Sequence, residues 1–195
     1  MDGGEGGWID LVDPDDAQLA AVLPPDAHRV VRERLAPRPQ HDDDPRPRLE
    51  THGGHLFGVL VAPTRHDGVL VHREIDLVVT PERIITVRRS APGVGPYEIS
   101  ALRLAASRSG ASPGMCLHAL FDDLAEGFLA VVDQFDADID ELEDNVETLE
   151  PAKVRERISR TRHDILQVRR VVTPTRDAAR GILDDRVELD GDELF

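Results

Sequence analysis

The sequence holds one cysteine, Cys116, in 195 residues. A disulfide framework and a cysteine-based zinc site are therefore excluded, and the composition fits a reducing compartment. No run of about 18 apolar residues occurs, and the stretch Met1 to Gly7 is polar and glycine-rich, so these residues provide neither a membrane span nor a signal peptide. Positive charge is outnumbered, with 23 lysines and arginines against 38 aspartates and glutamates. A net charge of −15 and a pI near 4.8 would repel a phosphate backbone or an anionic membrane, so no nucleic-acid partner is expected. There is no internal repeat and no low-complexity tract beyond the acidic bias. The length suits one good-sized core, or one domain with a helical appendage, and the chain reads as a soluble polypeptide.

What is present is dominated by the stretch from Met115 to Asp185. Apolar residues from Leu117 through Phe121, Leu124, Phe128, Val131, Phe135, Ile139 and Leu142 to Leu149 recur in steps of three and four. That period predicts a helix buried along one seam. Pro151, which has no amide to donate, interrupts it. The period resumes at Val154 and continues through Ile158, Ile165, Val168 and Val172 to Ile182. At 1.5 Å per residue the first arm alone would reach about 50 Å, too long for a small core to wrap. It must pack on the second arm, on other copies, or on both.

The two arms carry opposite charge. Met115 to Glu150 contains no lysine or arginine but many acids, among them Asp122, Asp123, Glu126, Asp133, Asp136, Asp138, Asp140 and Glu143. The return arm is rich in arginine, and antiparallel packing would bring Asp138–Asp144 near Arg160 and Arg162. Exposed pairs of this kind are worth about 0–1 kcal/mol each, so they set register more than stability. Two readings stay open for the acids: a self-neutralising solvated hairpin, or a carboxylate surface for divalent cations, which prefer oxygen ligands.

Ahead of the hairpin, Trp8–Val12 alternates like a strand. Asp13-Pro14-Asp15-Asp16 supplies an N-cap, a proline and first-turn acids for a helix to about Leu23. Pro24-Pro25-Asp26 closes it and starts a second helix ending near Leu35. Residues 36–47 read as an irregular loop. Period-two segments follow at Arg48–Thr51, His55–Ala62, Val69–Thr80 and Arg83–Arg89, the last two joined as a hairpin through Pro81-Glu82. A helix over Tyr97–Ser107 and a hinge at Gly110–Gly114 complete the chain. The fold class is α+β: a layered sandwich over residues 1–112 with a mixed or antiparallel sheet, then a long antiparallel helical hairpin over 113–195.

Candidate chemistry is sparse. His41-Asp42-Asp43-Asp44 could bind a metal but lies in the proline-rich loop. His52 and His55 flank Gly53-Gly54 without an evident third ligand and read as surface histidines. Cys116 and His118, two apart on a helix, point to different sides. Gly93-Val94-Gly95 lacks the spacing of a phosphate loop. No Ser/His/Asp arrangement stands out. An enzyme is not expected; the remaining enzyme reading, an acid-rich metal-dependent hydrolase, has only the carboxylate count behind it.

Trp8-Ile9-Asp10 before a capped helix, Arg46-Pro47-Arg48-Leu49-Glu50, His55-Leu56-Phe57 and Ile84-Ile85-Thr86-Val87 form an ordered series. With Phe135-Asp136-Ala137-Asp138-Ile139-Asp140-Glu141-Leu142-Glu143-Asp144 and Val168-Arg169-Arg170 through Pro174 to Arg176-Asp177, it resembles the cytosolic part of the CorA-type divalent-cation transporters. The resemblance covers nearly the whole chain in order and spacing.

It implies an α/β/α sandwich and a stalk hairpin, a homopentamer at the cytoplasmic face of the membrane, and no enzyme activity. It also implies two transmembrane segments with a Gly-Met-Asn signature beyond Phe195. The ion implied is Mg²⁺, or Co²⁺, Ni²⁺ or Zn²⁺, weakly bound between protomers and coupled to gating as a population shift. Asp122 and Glu33 fall on acidic positions of that regulatory site. The next position, usually aspartate, is Arg34, which would repel a divalent ion, and His28-Arg29-Val30-Val31 departs from the family's His-Pro pattern. These departures suit the zinc-transporting branch, or a Mg²⁺ carrier regulated differently. A freestanding coiled-coil interaction protein is the alternative.

Overall fold

A computed structural model describes residues 7–36, 47–52, 54–90 and 93–183. Within the described residues five strands and five helices follow one another: β1 (Trp8–Val12), α1 (Asp16–Val22), α2 (Arg29–Leu35), β2 (Arg48–His52), β3 (His55–His66), β4 (Val69–Val79), β5 (Ile84–Arg88), α3 (Ser100–Ser109), α4 (Pro113–Asn145) and α5 (Pro151–Leu183). The strands form one mixed sheet in the order β1-β5-β4-β3-β2. β1 lies parallel to β5, with Trp8 opposite Ile84, and every other neighbouring pair is antiparallel.

The sheet is buried on both faces because its central strands are apolar at consecutive positions, not alternate ones. Leu56, Leu60, Ile75, Leu77 and Ile84 point to one side, where Ile99, the partly buried Leu102 of α3 and the α4 residues Leu117, Leu120 and Leu124 cover them. Phe57, Val59, Val78, Ile85 and Val87 point to the other, under Leu19 of α1 and Val31 and Leu35 of α2. The result is the expected α/β/α sandwich carrying a long helical hairpin. α4 belongs to both parts: after Leu124 its buried stripe continues through Phe128, Val131 and Phe135, which pack with Val168 and Val171 of α5 and with Val61 of β3.

Several boundaries differ from the sequence reading for identifiable reasons. The N-cap of α1 is Asp15, not Asp13: its carboxylate accepts from the Gln18 amide at 2.8 Å and Gln18 returns the bond at 2.9 Å, a capping box. Asp13 instead has φ 45° and accepts from the Ser90 amide and hydroxyl at 3.0 and 2.6 Å. β3 runs on to His66, past Pro63. β2 reaches only as far as Val59, so this part of β3 has no β2 neighbour, a position where a proline is tolerated. The β3–β4 connection is Asp67-Gly68, both at positive φ, as a two-residue hairpin turn requires. Pro151 opens α5 instead of closing α4, which ends at Asn145, leaving Val146 and Leu149 in the connecting turn. The proposed ligands in the loop, His41 to Asp44, lie outside the described residues.

A charge cluster locks the parallel edge of the sheet to α3. Arg88 reaches Asp10 at 2.6 and 2.9 Å, with both side chains almost fully buried, and its guanidinium also donates to the Tyr97 carbonyl. Asp10 accepts as well from the Thr86 hydroxyl at 2.8 Å and lies 3.6 Å from Arg103 of α3. The Trp8 indole donates to the same Thr86 oxygen at 3.0 Å. Removing one partner leaves a buried charge uncompensated, which costs more than the intact pair gains. Asp10→Ala is therefore expected to lower the unfolding free energy by about 3–5 kcal/mol in urea titrations; a loss within the about 0–1 kcal/mol typical of an exposed pair would show that Arg88 is not held by this contact.

Candidate functional site

The two sequence-derived metal ligands sit on different layers. Glu33 is in the middle of α2, exposed, and makes an i,i+4 ion pair with Arg29 at 3.0 Å. Arg34 follows it, partly buried, in the last turn. Asp122 is exposed on α4, on the opposite side of the sheet. It borders a groove of about 500 Å³ that also includes Phe121, Leu129, Val172 and Arg176. With the sheet between them, Glu33 and Asp122 of one copy cannot share an ion. Among the described residues, no group of three or more histidine, cysteine or carboxylate side chains is placed to hold a metal.

The acids of the hairpin are paired at only a few points. Asp138 meets Arg65 of β3 at 2.6 Å, and the Arg65 guanidinium also lies 5.5 Å from the Phe135 ring centroid. Glu141 receives a forked pair of bonds from Arg157, at 3.0 and 3.3 Å. Arg160, expected to face the Asp138–Asp144 stretch, borders a small depression with Asp138 but pairs with Glu156 on its own helix. Asp123 accepts from the Tyr97 hydroxyl at 2.7 Å; burial, then that bond, pushes the phenol above its usual range. Asp122, Glu126, Asp133, Asp136, Asp140, Glu143 and Asp144 are exposed and lack an ion pair among the described residues. A hydrated divalent cation suits such a surface, held by charge and water-mediated bonds with little direct ligation.

The structure brings His28 to the His52–His55 pair, from which the sequence reading kept it apart. His52 and His55 are cross-strand partners; His52 lies 3.1 Å from Glu50 and His55 3.3 Å from Asp26. His28, from the α1–α2 connection, stacks on His52 with ring centroids 5.3 Å apart, while its Nδ1 accepts from the Val30 amide and caps α2. The hydrogen bond with His55 holds the Asp26 carboxyl below the usual range. Each ring already has a structural partner, so this is a clasp between the α2 layer and the β2–β3 turn. Spacing gave no sign of it, because His28 and Asp26 lie more than twenty residues from His52 and His55 in sequence. Cys116 is buried, and burial raises its thiol pKa, which leaves it unreactive; His118 beside it is exposed.

No helix among the described residues is long and apolar enough to cross a membrane. No curated protein sequence matches the chain. Solved structures do. The soluble domain of CorA from Methanocaldococcus jannaschii superimposes with a TM-score of 0.70 at 16% identity, over 95% of this chain and 73% of that one. The complete CorA magnesium transporter of the same organism gives 0.68 at 18% identity, over 94% of this chain but only 56% of the transporter. The ZntB cytoplasmic domain from Vibrio parahaemolyticus RIMD 2210633 gives 0.66 at 14% identity, over 93% and 70%. At such identities the likeness establishes the fold. The family description "CorA-like Mg2+ transporter protein" matches residues 4–194, nearly the entire chain, and on that match the chain belongs to the CorA-like Mg²⁺ transporter family.

Proposed function

We propose that the chain is the cytosolic regulatory and assembly domain of a divalent-cation transporter, placed at the cytoplasmic face of the membrane. It associates with further copies of itself, as a pentamer in the whole protein, and a weakly bound cytosolic cation biases a pore formed by other parts of that protein. The observation that carries this reading is the separation of Glu33 and Asp122 on opposite outer layers of one sandwich. Two exposed carboxylates that cannot meet within a copy can meet between copies, where an ion joining them reports on how the copies are arranged. With one subunit type around a ring, a weak site repeated at each interface acts jointly.

The residues present fit such an ion unequally. Asp122 is exposed and makes no ion pair among the described residues, which suits it to face a hydrated cation. Glu33 is already engaged by Arg29 and is followed by Arg34, so its half of the site is electrostatically weak. The ion is Mg²⁺ or a relative such as Zn²⁺, Co²⁺ or Ni²⁺, and the weakened half suits the zinc-transporting branch or a Mg²⁺ carrier with a different regulatory threshold.

Titration calorimetry with Mg²⁺ tests the site. The wild-type chain is expected to give a heat that the double variant Glu33→Ala/Asp122→Ala lacks; equal heats would remove both residues from it. Arg34→Asp reverses a charge beside the ion and is expected to tighten binding by about tenfold. Unchanged affinity in that variant would show that Arg34 does not weaken the site.

A further inference from the structure

His28 does two jobs, and both suit an uncharged ring. Its Nδ1 accepts from the Val30 amide at 3.2 Å, which caps α2, so that nitrogen carries no proton. Its face lies on His52, with the ring centroids 5.3 Å apart and the planes 16° from parallel. A protonated imidazole donates from both nitrogens and accepts at neither, so a single proton removes the cap. The Val30 amide is then left facing a donor. If His52 is charged as well, like-charge repulsion across the stack adds to the loss.

The other two rings stand in different company. His55, its side chain 14% exposed, lies 3.3 Å from Asp26, and that hydrogen bond holds the Asp26 carboxyl below its usual range. His52 lies 3.1 Å from Glu50, which is also 3.7 Å from Arg48. A proton on either ring therefore meets a carboxylate. His28 is exposed and makes no ion pair among the described residues. The two carboxylates of the clasp, Asp26 and Glu50, are bonded to the other two rings. The nearest charges on α2 are Arg29, paired with Glu33 at 3.0 Å, and Arg32, which donates to the carbonyls of Pro24, Pro25 and Ala27. On β2, Arg48 sits 5.9 Å from the Phe57 ring centroid. The stretch of α5 that runs toward its C-terminal end beside the sheet carries Arg180, with Arg176 and Asp177 paired to each other at 2.7 Å.

We propose that His28 is a proton-operated cap: uncharged, it closes the first turn of α2 and rests on His52, and protonated, it releases that turn from the β2–β3 connection. Val31 and Leu35 stay in the core, so α2 keeps its place and only its leading end is set loose. The unfolded chain takes up the same proton without losing a cap, so stability falls as the pH falls through the imidazole range. The released turn includes Arg29, the partner of Glu33. A proton taken up at His28 thus acts beside the carboxylate that the cation reading uses.

Urea titrations of the full 195-residue chain, without metal, test the cap. They are run at about pH 8 and about pH 5.5, on either side of the ordinary imidazole value of about 6.5. His28→Asn keeps an acceptor at the capping position but has no proton to gain, and His28→Ala has neither acceptor nor ring. At the higher pH, wild type and His28→Asn are each expected to exceed His28→Ala in folding constant by about fivefold, the usual effect of a cap. At the lower pH, His28→Asn is expected to keep that lead while wild type falls to the level of His28→Ala or below it. His52, His55 and every carboxylate are common to the three chains, so their own titrations cancel in the ratios. A wild type that keeps its lead in acid, or shows none at the higher pH, would overturn the proposal. So would a His28→Asn variant that loses its lead in acid together with wild type, because the sensitive group would then lie elsewhere. No divalent ion is added, so these ratios are read apart from the Mg²⁺ heats, and failure of the cation site would leave them unchanged.

Discussion

The structure depends on one helix serving two cores. The first half of α4 supplies Leu117, Leu120 and Leu124 to the sandwich, and the second half supplies Phe128, Val131 and Phe135 to the contact with α5. Full burial of such side chains is worth about 1.5–3 kcal/mol each, against about 0–1 kcal/mol for an exposed ion pair, so this stripe dominates and the charges adjust to it. Because no break falls between Leu124 and Phe128, the hairpin is not a loosely tethered arm. Its direction is set by the sheet. Arg65 adds a second anchor, joining the far end of β3 to Asp138 and Phe135 part-way along α4. Whatever happens to the tip is mechanically coupled to the sandwich.

Most of this was legible where the pattern was long. Two helices of 33 residues each declare themselves by sustained three-and-four periodicity, and the β4–β5 hairpin by apolar runs around Pro81-Glu82. Short-range signals were weaker. Asp13 before Pro14 read as the N-cap, and it is the Gln18 side chain, three residues after Asp15, that moves the cap to Asp15. The expected segment stopped at Ala62, four residues short of His66, because whether a strand has a neighbour on both sides cannot be seen from its own residues. The pairing of β1 with β5 joins segments some seventy residues apart in sequence, and local periodicity carries no information about it.

The candidate site was legible only through the resemblance. It picked out Glu33 and Asp122, but their placement on opposite layers of the sheet follows from the sandwich itself and not from spacing. The opposite charge of the two arms was plain in the sequence, and Arg160 and Arg162 do come near Asp138 and Glu143, but nearness did not make them pair. Asp138 turns to the sheet instead of to Arg160, and most of the remaining acids of α4 are exposed and make no ion pair among the described residues. Self-neutralisation accounts for Glu141 and little else along that flank. Charge left unpaired on both arms, beside an apolar seam, directs attention outward to ions and to other copies.

Hydrogen exchange along α4 tests the central claim, that a single rigid helix links the sandwich to the hairpin. The account predicts that the amides from Phe128 to Phe135 exchange as slowly as those from Leu120 to Leu124, opening only with the whole domain. Protection that collapses beyond Leu124 while the sandwich stays closed would contradict it.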